Sequence, residues 1–170
     1  MQSFFAFDSS ITTGVRVAAG DVDGDGKADI IASTGEGTPA RVKAFKGTTL
    51  AVLSDLSVFD GYRGGVYVSA GDFNGDGKAD IVVSSGAGAS RVSVYTAAGG
   101  ELASFFADSS NSSGVRVAAK DLNGDGIADI ITGAGIGTAS RITGFSGAGL
   151  AIIEDFYLFD SGVRTGVFVG

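Results

Sequence analysis

The chain has 170 residues, of which 44% are hydrophobic and 18% charged, enough apolar sequence for one domain with a buried core. It has no Cys and no His, which excludes disulfides and thiolate chemistry and removes the commonest general base and transition-metal ligand. Its formal charge of −7 argues against nucleic acid as a partner, because nucleic-acid-binding domains are usually basic.

The sequence also lacks the marks of a membrane span or a secretory signal. No apolar run reaches the roughly 18 residues of a membrane helix. The first five residues have neither the basic start nor the apolar stretch of a signal peptide. We therefore expect no membrane partner and, if the parent protein is secreted, a mature segment, an excised piece or an engineered chain.

A segment of about 50 residues repeats three times along the chain. Asp21 and Asp72 are 51 residues apart, and Asp72 and Asp121 are 49 apart. Glycine supplies 29 of the 170 residues, about 17% against a typical share of roughly 7%. Because the glycines alternate with short apolar runs, the composition indicates many turns between short strands.

Each repeat follows the same order of elements. A first strand rich in Val, Ala and Gly leads through an acidic loop into a more apolar second strand. A Gly-x-Gly turn precedes a third strand that alternates apolar and polar residues, the period-2 pattern of a half-buried strand. A small turn leads to a fourth strand, residues 50–59 in the first repeat. No segment has a sustained period near 3.6, so we expect essentially no helix.

Four short antiparallel strands in a repeat of this length are typical of a β-propeller blade. We therefore predict an all-β fold of three complete four-stranded blades, with the small-residue first strand innermost. Phe59, Phe156 and Phe159 of the fourth strands are expected to fill the gap where blades splay apart. The predicted blades are residues 14–59, 65–108 and 114–160, within a single partial propeller spanning 1–170.

The two ends of the chain predict parts of further blades. Residues 2–8 resemble the outer strand of a preceding blade, and residues 166–170 resemble the inner strand of a following blade. Propellers close with about four to eight blades, and open strand edges promote association. We expect the chain to complete a ring with copies of itself, most simply as a dimer. The alternative is a fragment whose remaining blades lie elsewhere.

Two sets of recurring basic or aromatic residues stand in the strands. We expect Arg41, Arg91 and Arg141, at the start of each third strand, to pair with an acid or carbonyl of an adjacent strand or blade. Arg16 and Arg116 match each other in the first strands, where the second repeat has a tyrosine. Such a variable position could line a binding face.

The acidic loops have oxygen side chains at positions 1, 3, 5 and 9 and glycine at position 6. That pattern can surround one hard cation, and Ca²⁺ is the natural candidate because it takes six to eight oxygen ligands in flexible geometry. Three Ca²⁺ ions per chain would change the formal charge from −7 to about −1. The side chains are Asp21, Asp23, Asp25 and Asp29 in the first loop, Asp72, Asn74, Asp76 and Asp80 in the second, and Asp121, Asn123, Asp125 and Asp129 in the third.

Other interpretations of the loops are less consistent with the sequence. Plain acidic turns need no metal, but four crowded acids repel one another, and Lys27 is the only basic residue expected near the first loop. An EF-hand needs Glu at position 12 and flanking helices. Position 12 is instead Ala32, Val83 or Thr132, within predicted strands. Magnesium fits less well because it prefers tight octahedral shells.

The pattern Gly-Asp-x-Asn/Asp-Gly-Asp-Gly-x-x-Asp-Ile, in glycine-rich blades, resembles the FG-GAP/VCBS repeat of integrin α-subunit propellers and many bacterial surface and secreted proteins. The resemblance covers nearly the whole chain, although the Phe-Gly-Gly-Ala-Pro string that names the family is absent. It implies calcium bound by the four side chains of each loop and a backbone carbonyl at position 7. Those carbonyls belong to Lys27, Lys78 and Ile127.

The family resemblance implies a non-enzymatic, calcium-stabilised extracellular or cell-surface module for adhesion or for binding protein or carbohydrate. An engineered or excised propeller fragment without a ligand is one alternative, and part of a propeller lyase or hydrolase is another. The acids outside the loops, Asp8, Asp60, Asp108 and Asp160, recur in turns. Repetition in every blade favours turn chemistry over an active site, so we expect no enzymatic activity.

Overall fold

The computed structural model describes residues 3–110, 112–160 and 162–170, which form twelve β-strands and no helix. Accordingly, no helix among these residues could cross a membrane. The first sheet comprises β1 (Val15–Gly20), β2 (Asp29–Thr34), β3 (Arg41–Phe45) and β4 (Val52–Ser57). The second comprises β5 (Val66–Gly71), β6 (Asp80–Ser85), β7 (Arg91–Tyr95) and β8 (Glu101–Phe106). The third comprises β9 (Val115–Lys120), β10 (Asp129–Ala134), β11 (Arg141–Phe145) and β12 (Ile152–Tyr157).

Each sheet is an antiparallel meander in which strands pair in chain order. Each has a register shift at the same place, near the end of its third strand, after Ala44, Val94 or Gly144. The three sheets are therefore copies of one four-stranded blade. The predicted all-β fold of propeller blades is confirmed.

The fourth strand of the first blade is shorter than predicted. It covers Val52–Ser57 and not the whole of 50–59. Leu50 and Phe59 have φ angles of 60° and 51°, in the left-handed region that an extended strand does not use. These two residues therefore bound the strand, and the sequence pattern alone does not reveal their conformation.

The first strands lie innermost, as expected, with β1 against β5 and β5 against β9. Small side chains permit this approach. A Cβ placed on Gly20 would lie 2.7 Å from the Cβ of Ala70, and one on Gly71 would lie 2.7 Å from the Cβ of Ala128. Any larger residue would force neighbouring blades apart, which explains why these strands are rich in Ala and Gly.

The hydrophobic core lies between blades. Ile31 and Val42 of the first blade pack with Val66 and Ile81 of the second, and all four are fully buried. An equivalent cluster joins the second and third blades. Burial of apolar side chains between sheets is the main source of stability here.

The two outer blades each have a face without a neighbouring blade. Val17 is 69% exposed, whereas the equivalent Val68 and Val117 are 9% and 6% exposed. On the third blade, Phe156 and Phe159 are 44% and 52% exposed. The prediction that these two phenylalanines fill a gap between blades is wrong for this chain, because no blade follows the third among the described residues. Phe59, which does face another blade, is 7% exposed.

The structure also differs from the prediction at both ends. Residue 2 lies outside the described residues, and residues 3–8 and 166–170 form no strand. Each nevertheless packs beside a blade: the rings of Phe4 and Phe45 are 5.1 Å apart, and the Val167 amide donates to the carbonyl of Ala134 at 2.9 Å. A sheet strand needs a ladder of hydrogen bonds to its neighbour, and neither segment forms such a ladder in the part of the chain that is described.

Candidate metal centres

The three acidic loops share one local conformation. In the first, Asp21 Oδ1 accepts from the Gly24 amide at 2.8 Å, and Asp21 Oδ2 accepts from the Gly26 amide at 2.7 Å. The position-1 aspartates of the second and third loops accept from the same two glycine positions at 2.7 to 3.0 Å. Both Gly24 and Gly26 have φ near +80°, which glycine adopts at little cost. The glycines therefore wrap each loop around its first carboxylate.

The position-9 aspartates anchor the loops to the second strands. Asp29, Asp80 and Asp129 are 1%, 3% and 0% exposed, and each begins β2, β6 or β10. Their Oδ2 atoms accept from the position-2 amide of the same loop at 3.0, 3.0 and 2.8 Å. A buried carboxylate is costly unless it is paired. Each loop therefore contains one buried carboxyl group that is held by hydrogen bonds from its own backbone.

In the second loop, the surroundings of the position-9 aspartate change its pKa. Burial raises the pKa of Asp80 to about 6, and repulsion from Asp76 and Asp72 adds to the shift. Burial also acts to raise the pKa of Asp72, but hydrogen bonds from Gly77 and other loop amides outweigh it and lower that pKa. Crowded acids thus disfavour ionisation at the buried position, and a divalent cation would reverse this effect.

The first loop brings its carboxylates closest together. Asp21, Asp23 and Asp29 each offer an oxygen within 4.8 Å of the others. In the second loop position 3 is Asn74, whose Nδ2 lies 3.4 Å from Asp80 Oδ1, and Asn123 lies in the same way in the third. The structure therefore brings together Asp21, Asp23 and Asp29 of the first loop. Ligation by the position-5 aspartates and by the carbonyls of Lys27, Lys78 and Ile127 stays a prediction.

The donor sets fit a hard cation. All are carboxylate or amide oxygens, the type of ligand that Ca²⁺ selects. A cation already stands at the first loop: the Lys46 ammonium contacts the Asp23 carboxylate and lies 2.7 Å from Asp25 Oδ2. These two aspartates raise the pKa of Lys46. A positive charge is thus accommodated among these acids.

Lys46 is the residue that sequence reasoning missed. The expectation that only Lys27 is basic near the first loop is wrong. The turn after β3 folds over the loop, and the Gly47 amide donates to Asp29 Oδ1 at 2.9 Å. A signal was present in the repeat, since the residue after the third strand is Lys46, Thr96 or Ser146.

The loops of neighbouring blades are linked through their backbones. The Ala79 amide of the second loop donates to the carbonyl of Asp21 at 2.7 Å, and the Ala128 amide of the third donates to that of Asp72 at 2.8 Å. The loops therefore form a row beside the innermost strands.

The repeated arginines at the third strands make mainly structural contacts, as expected. Arg41 forms a bidentate pair with Asp55, with both distances 2.6 Å. Arg141 pairs in the same way with Asp155 of the adjacent strand. Arg91 faces a serine there instead, and its guanidinium carbon lies 5.1 Å from the ring centre of Phe59 in the preceding blade.

The variable position in the first strands forms a stack across blades. The guanidinium carbons of Arg16 and Arg116 lie 4.0 and 5.4 Å from the ring centre of Tyr67. Arg16 also donates to the carbonyl of Val66 at 3.2 Å, and Arg116 to that of Ala134 at 3.0 Å. The stack on Tyr67 and the Arg16–Val66 bond join neighbouring inner strands, whereas the Arg116–Ala134 bond lies within the third blade. These contacts give the three residues a packing role.

The chain was compared with known proteins. Among solved structures, the fold resembles the crystal structure of the rhamnogalacturonan lyase YesW, with a TM-score of 0.63 and 16% sequence identity. The match covers 86% of this chain but 34% of that one, and at this identity the likeness concerns the fold alone. No curated protein matches the chain.

Comparison with protein families gives a more specific result. Residues 13–68 match the FG-GAP repeat, and residues 72–132 match the FG-GAP-like repeat. Those ranges contain all three acidic loops. Together with the repeated blade geometry, these matches show that the chain belongs to the FG-GAP repeat family.

Proposed function

We propose that this chain is a calcium-stabilised β-propeller module that binds about three Ca²⁺ ions and has no catalytic activity of its own. The observation that carries the proposal is the shared conformation of three acidic loops, each with a buried aspartate at its base. Bound Ca²⁺ would neutralise each loop and fasten the first strand of a blade to the second. Because a ligand that binds only the folded state stabilises it, calcium should raise the melting temperature.

Chelation tests this proposal directly. EDTA is expected to lower the melting temperature, and millimolar Ca²⁺ to restore it. The variant Asp125→Ala, which removes a position-5 carboxylate on the surface, should retain the fold and lose part of the calcium-dependent gain. Asp160→Ala, outside the loops, is the matched control and should keep the whole gain. A melting curve unchanged by EDTA and Ca²⁺ would refute a structural metal.

We further propose that the module works as a scaffold in an extracellular or cell-surface protein, for adhesion or for binding protein or carbohydrate. FG-GAP repeats are typical of such proteins. The turn acids support a role without catalysis: Asp8 and Asp108 accept hydrogen bonds from the amides of Ser10 and Ser110 at 2.9 and 3.0 Å. A glycan array and a pull-down with surface proteins test this part, and the absence of any ligand from both would contradict it.

A catalytic propeller is the second candidate, and one observation favours it. One solved structure with a similar fold is a rhamnogalacturonan lyase, so a role within a lyase is compatible with this architecture. Because fold does not determine function, a test of activity is needed. Turnover of rhamnogalacturonan or another acidic polysaccharide, abolished by one acidic substitution outside the loops, would establish this candidate and overturn the first.

The module is also proposed to complete its ring by self-association, with a dimer favoured. Val15 and Val17 of the first blade line a cavity of about 270 Å³, together with Phe4, Phe5 and Ile30. The equivalent residues of the second blade are covered by the first blade. Light scattering should therefore find a dimer or larger assembly. A monodisperse monomer at every concentration would refute self-association without touching the calcium proposal.

A further inference from the structure

One side chain near the metal loops differs in kind among the three blades. The residue after the third strand is Lys46 in the first blade, Thr96 in the second and Ser146 in the third. In each, the amide nitrogen donates to a carbonyl across the following turn, at 2.8, 2.9 and 2.8 Å respectively. The turn closed by this bond spans five residues in the first and third blades and four in the second, so the first and third turns match and differ at this position in the side chain.

Lys46 reaches from this turn into the first loop. Its ammonium contacts Asp23 and lies 2.7 Å from Asp25 Oδ2, and its side chain is 27% exposed. Asp23 and Asp25 stand at positions 3 and 5, where the proposed calcium ligands lie. The ammonium and a metal ion would therefore compete for the same carboxylates.

The charge of each loop accounts for this arrangement. The first loop has four carboxylates, because Asp23 stands where the other loops have Asn74 and Asn123. The side chains at positions 1, 3, 5 and 9 of the first loop together with Lys46 sum to −3, equal to the sum of those four positions in the second and in the third loop. The chain thus supplies one cation of its own, at the loop with the extra acid.

We propose that the Lys46 ammonium competes with Ca²⁺ for the carboxylates of Asp23 and Asp25, which makes the first loop the weakest of the three calcium sites. The inference rests on the proposed function, since it concerns the affinity of a calcium site. Calcium must displace the ammonium before Asp23 and Asp25 can coordinate it. Because partly exposed ion pairs are modest in strength, we expect the first loop to bind about three- to tenfold more weakly than the others.

The same reasoning gives the opposite order when the lysine is removed. Ligand charge count is one of the factors that set calcium affinity, and the first loop has one carboxylate more than the others. Lys46→Thr, which installs the residue of the second blade, should therefore convert the weakest site into the strongest. If Lys46 had only a structural role, its replacement would not invert the order of the calcium affinities of the three loops.

A titration that resolves each loop tests the inference. The amides of Gly26, Gly77 and Gly126 each donate to the position-1 carboxylate of their own loop. In ¹H–¹⁵N spectra of the calcium-free chain titrated with CaCl₂, they report the three sites separately. We expect the midpoint at Gly26 to lie about three- to tenfold above the other two. In Lys46→Thr it should fall below both, while those two midpoints stay unchanged.

Two further variants extend the test, one at the second loop and one for the case in which Lys46→Thr does not fold. Thr96→Lys places a lysine at the second loop and should weaken that site alone. If Lys46→Thr does not fold without calcium, the double variant Asp23→Asn/Lys46→Thr reproduces the residue types of the second loop at positions 1, 3, 5 and 9, which sum to −3. Its three midpoints should then agree with one another.

The possible results distinguish a failure of the role of Lys46 from a failure of calcium binding itself. Three equal midpoints in the unaltered chain, or an unchanged Gly26 midpoint in Lys46→Thr, would overturn the role of Lys46 and leave calcium binding intact. A Gly26 midpoint that differs among the variants as described supports competition between Lys46 and Ca²⁺. If none of the three amides responds by about 10 mM Ca²⁺, well above the roughly millimolar range of extracellular sites, both ideas fail.

Discussion

The valine at the third residue of each innermost strand offers a comparison within one molecule. Val17, Val68 and Val117 occupy equivalent positions in the three blades and are 69%, 9% and 6% exposed. Valine to alanine removes two methyl groups, and each buried group of that size contributes about 0.8 kcal/mol. With the cavity left behind, Val68→Ala should lower the free energy of unfolding by about 2 kcal/mol.

Val17→Ala should have a much smaller effect, because most of that side chain is already in water. In the monomer the loss is expected to be within about 0.5 kcal/mol, as for other surface substitutions. Urea unfolding followed by circular dichroism measures both variants. For a chain of this size, Val68→Ala corresponds to a fall of roughly 4 to 8 °C in melting temperature, and Val17→Ala to at most about 2 °C.

The losses of stability in Val17→Ala and Val68→Ala should differ, and the loss in Val17→Ala should depend on whether the chain self-associates. Equal losses for the two variants, at a concentration where light scattering finds a monomer, would contradict the burial reasoning. If the chain self-associates through the first blade, Val17→Ala should acquire a cost that grows with protein concentration. Val117→Ala serves as the control, because its neighbours lie within the same chain and its cost should not depend on concentration.

Three further outcomes are expected. Ser84→Ala removes a buried hydrogen bond of 2.7 Å to the carbonyl of Val115 in the next blade and should cost about 1 to 3 kcal/mol in urea unfolding; a cost near zero would mean that the bond does not join the blades. Gly20→Ala places a Cβ against the neighbouring blade and should cost about 1 to 3 kcal/mol by the same assay; an unchanged stability would refute the close approach. A hydrogen bond from Arg41 lowers the pKa of Asp55 below its usual 3.8. The ion pair therefore stabilises the fold above pH 3.8, and its contribution is lost as the pH falls through the lowered pKa. Asp55→Asn should therefore cost up to about 1 kcal/mol at neutral pH, with the difference from the parent shrinking below about pH 4; a difference independent of pH would contradict the pair.

Much of this architecture follows from local sequence. Alternating apolar residues define the strands, and glycines with repeated acids mark the loops between the first and second strands. Asp21 and Gly24, for example, are three residues apart, and their hydrogen bond depends only on the backbone between them. Interactions of this range recur in every copy, so the blades and the residues of each loop could be predicted.

Contacts between distant residues could not be predicted in this way. Lys46 meets Asp23 across 23 residues, because the turn after β3 folds over the loop. The pKa of Asp80 depends on how deeply β6 is covered, and the fourth strand of the first blade ends where Leu50 and Phe59 turn left-handed. Each result depends on packing that no single repeat contains.

The repeating blade, its strands and its acidic loops could be predicted from the amino-acid sequence, because they arise from interactions within about ten residues. Which copies of an equivalent residue are buried depends on how the blades pack. Val17 and Val68 share the same local pattern, yet one is in water and the other is buried against the preceding blade. Burial is a property of neighbouring sheets, and a sequence repeat cannot say where its neighbours are.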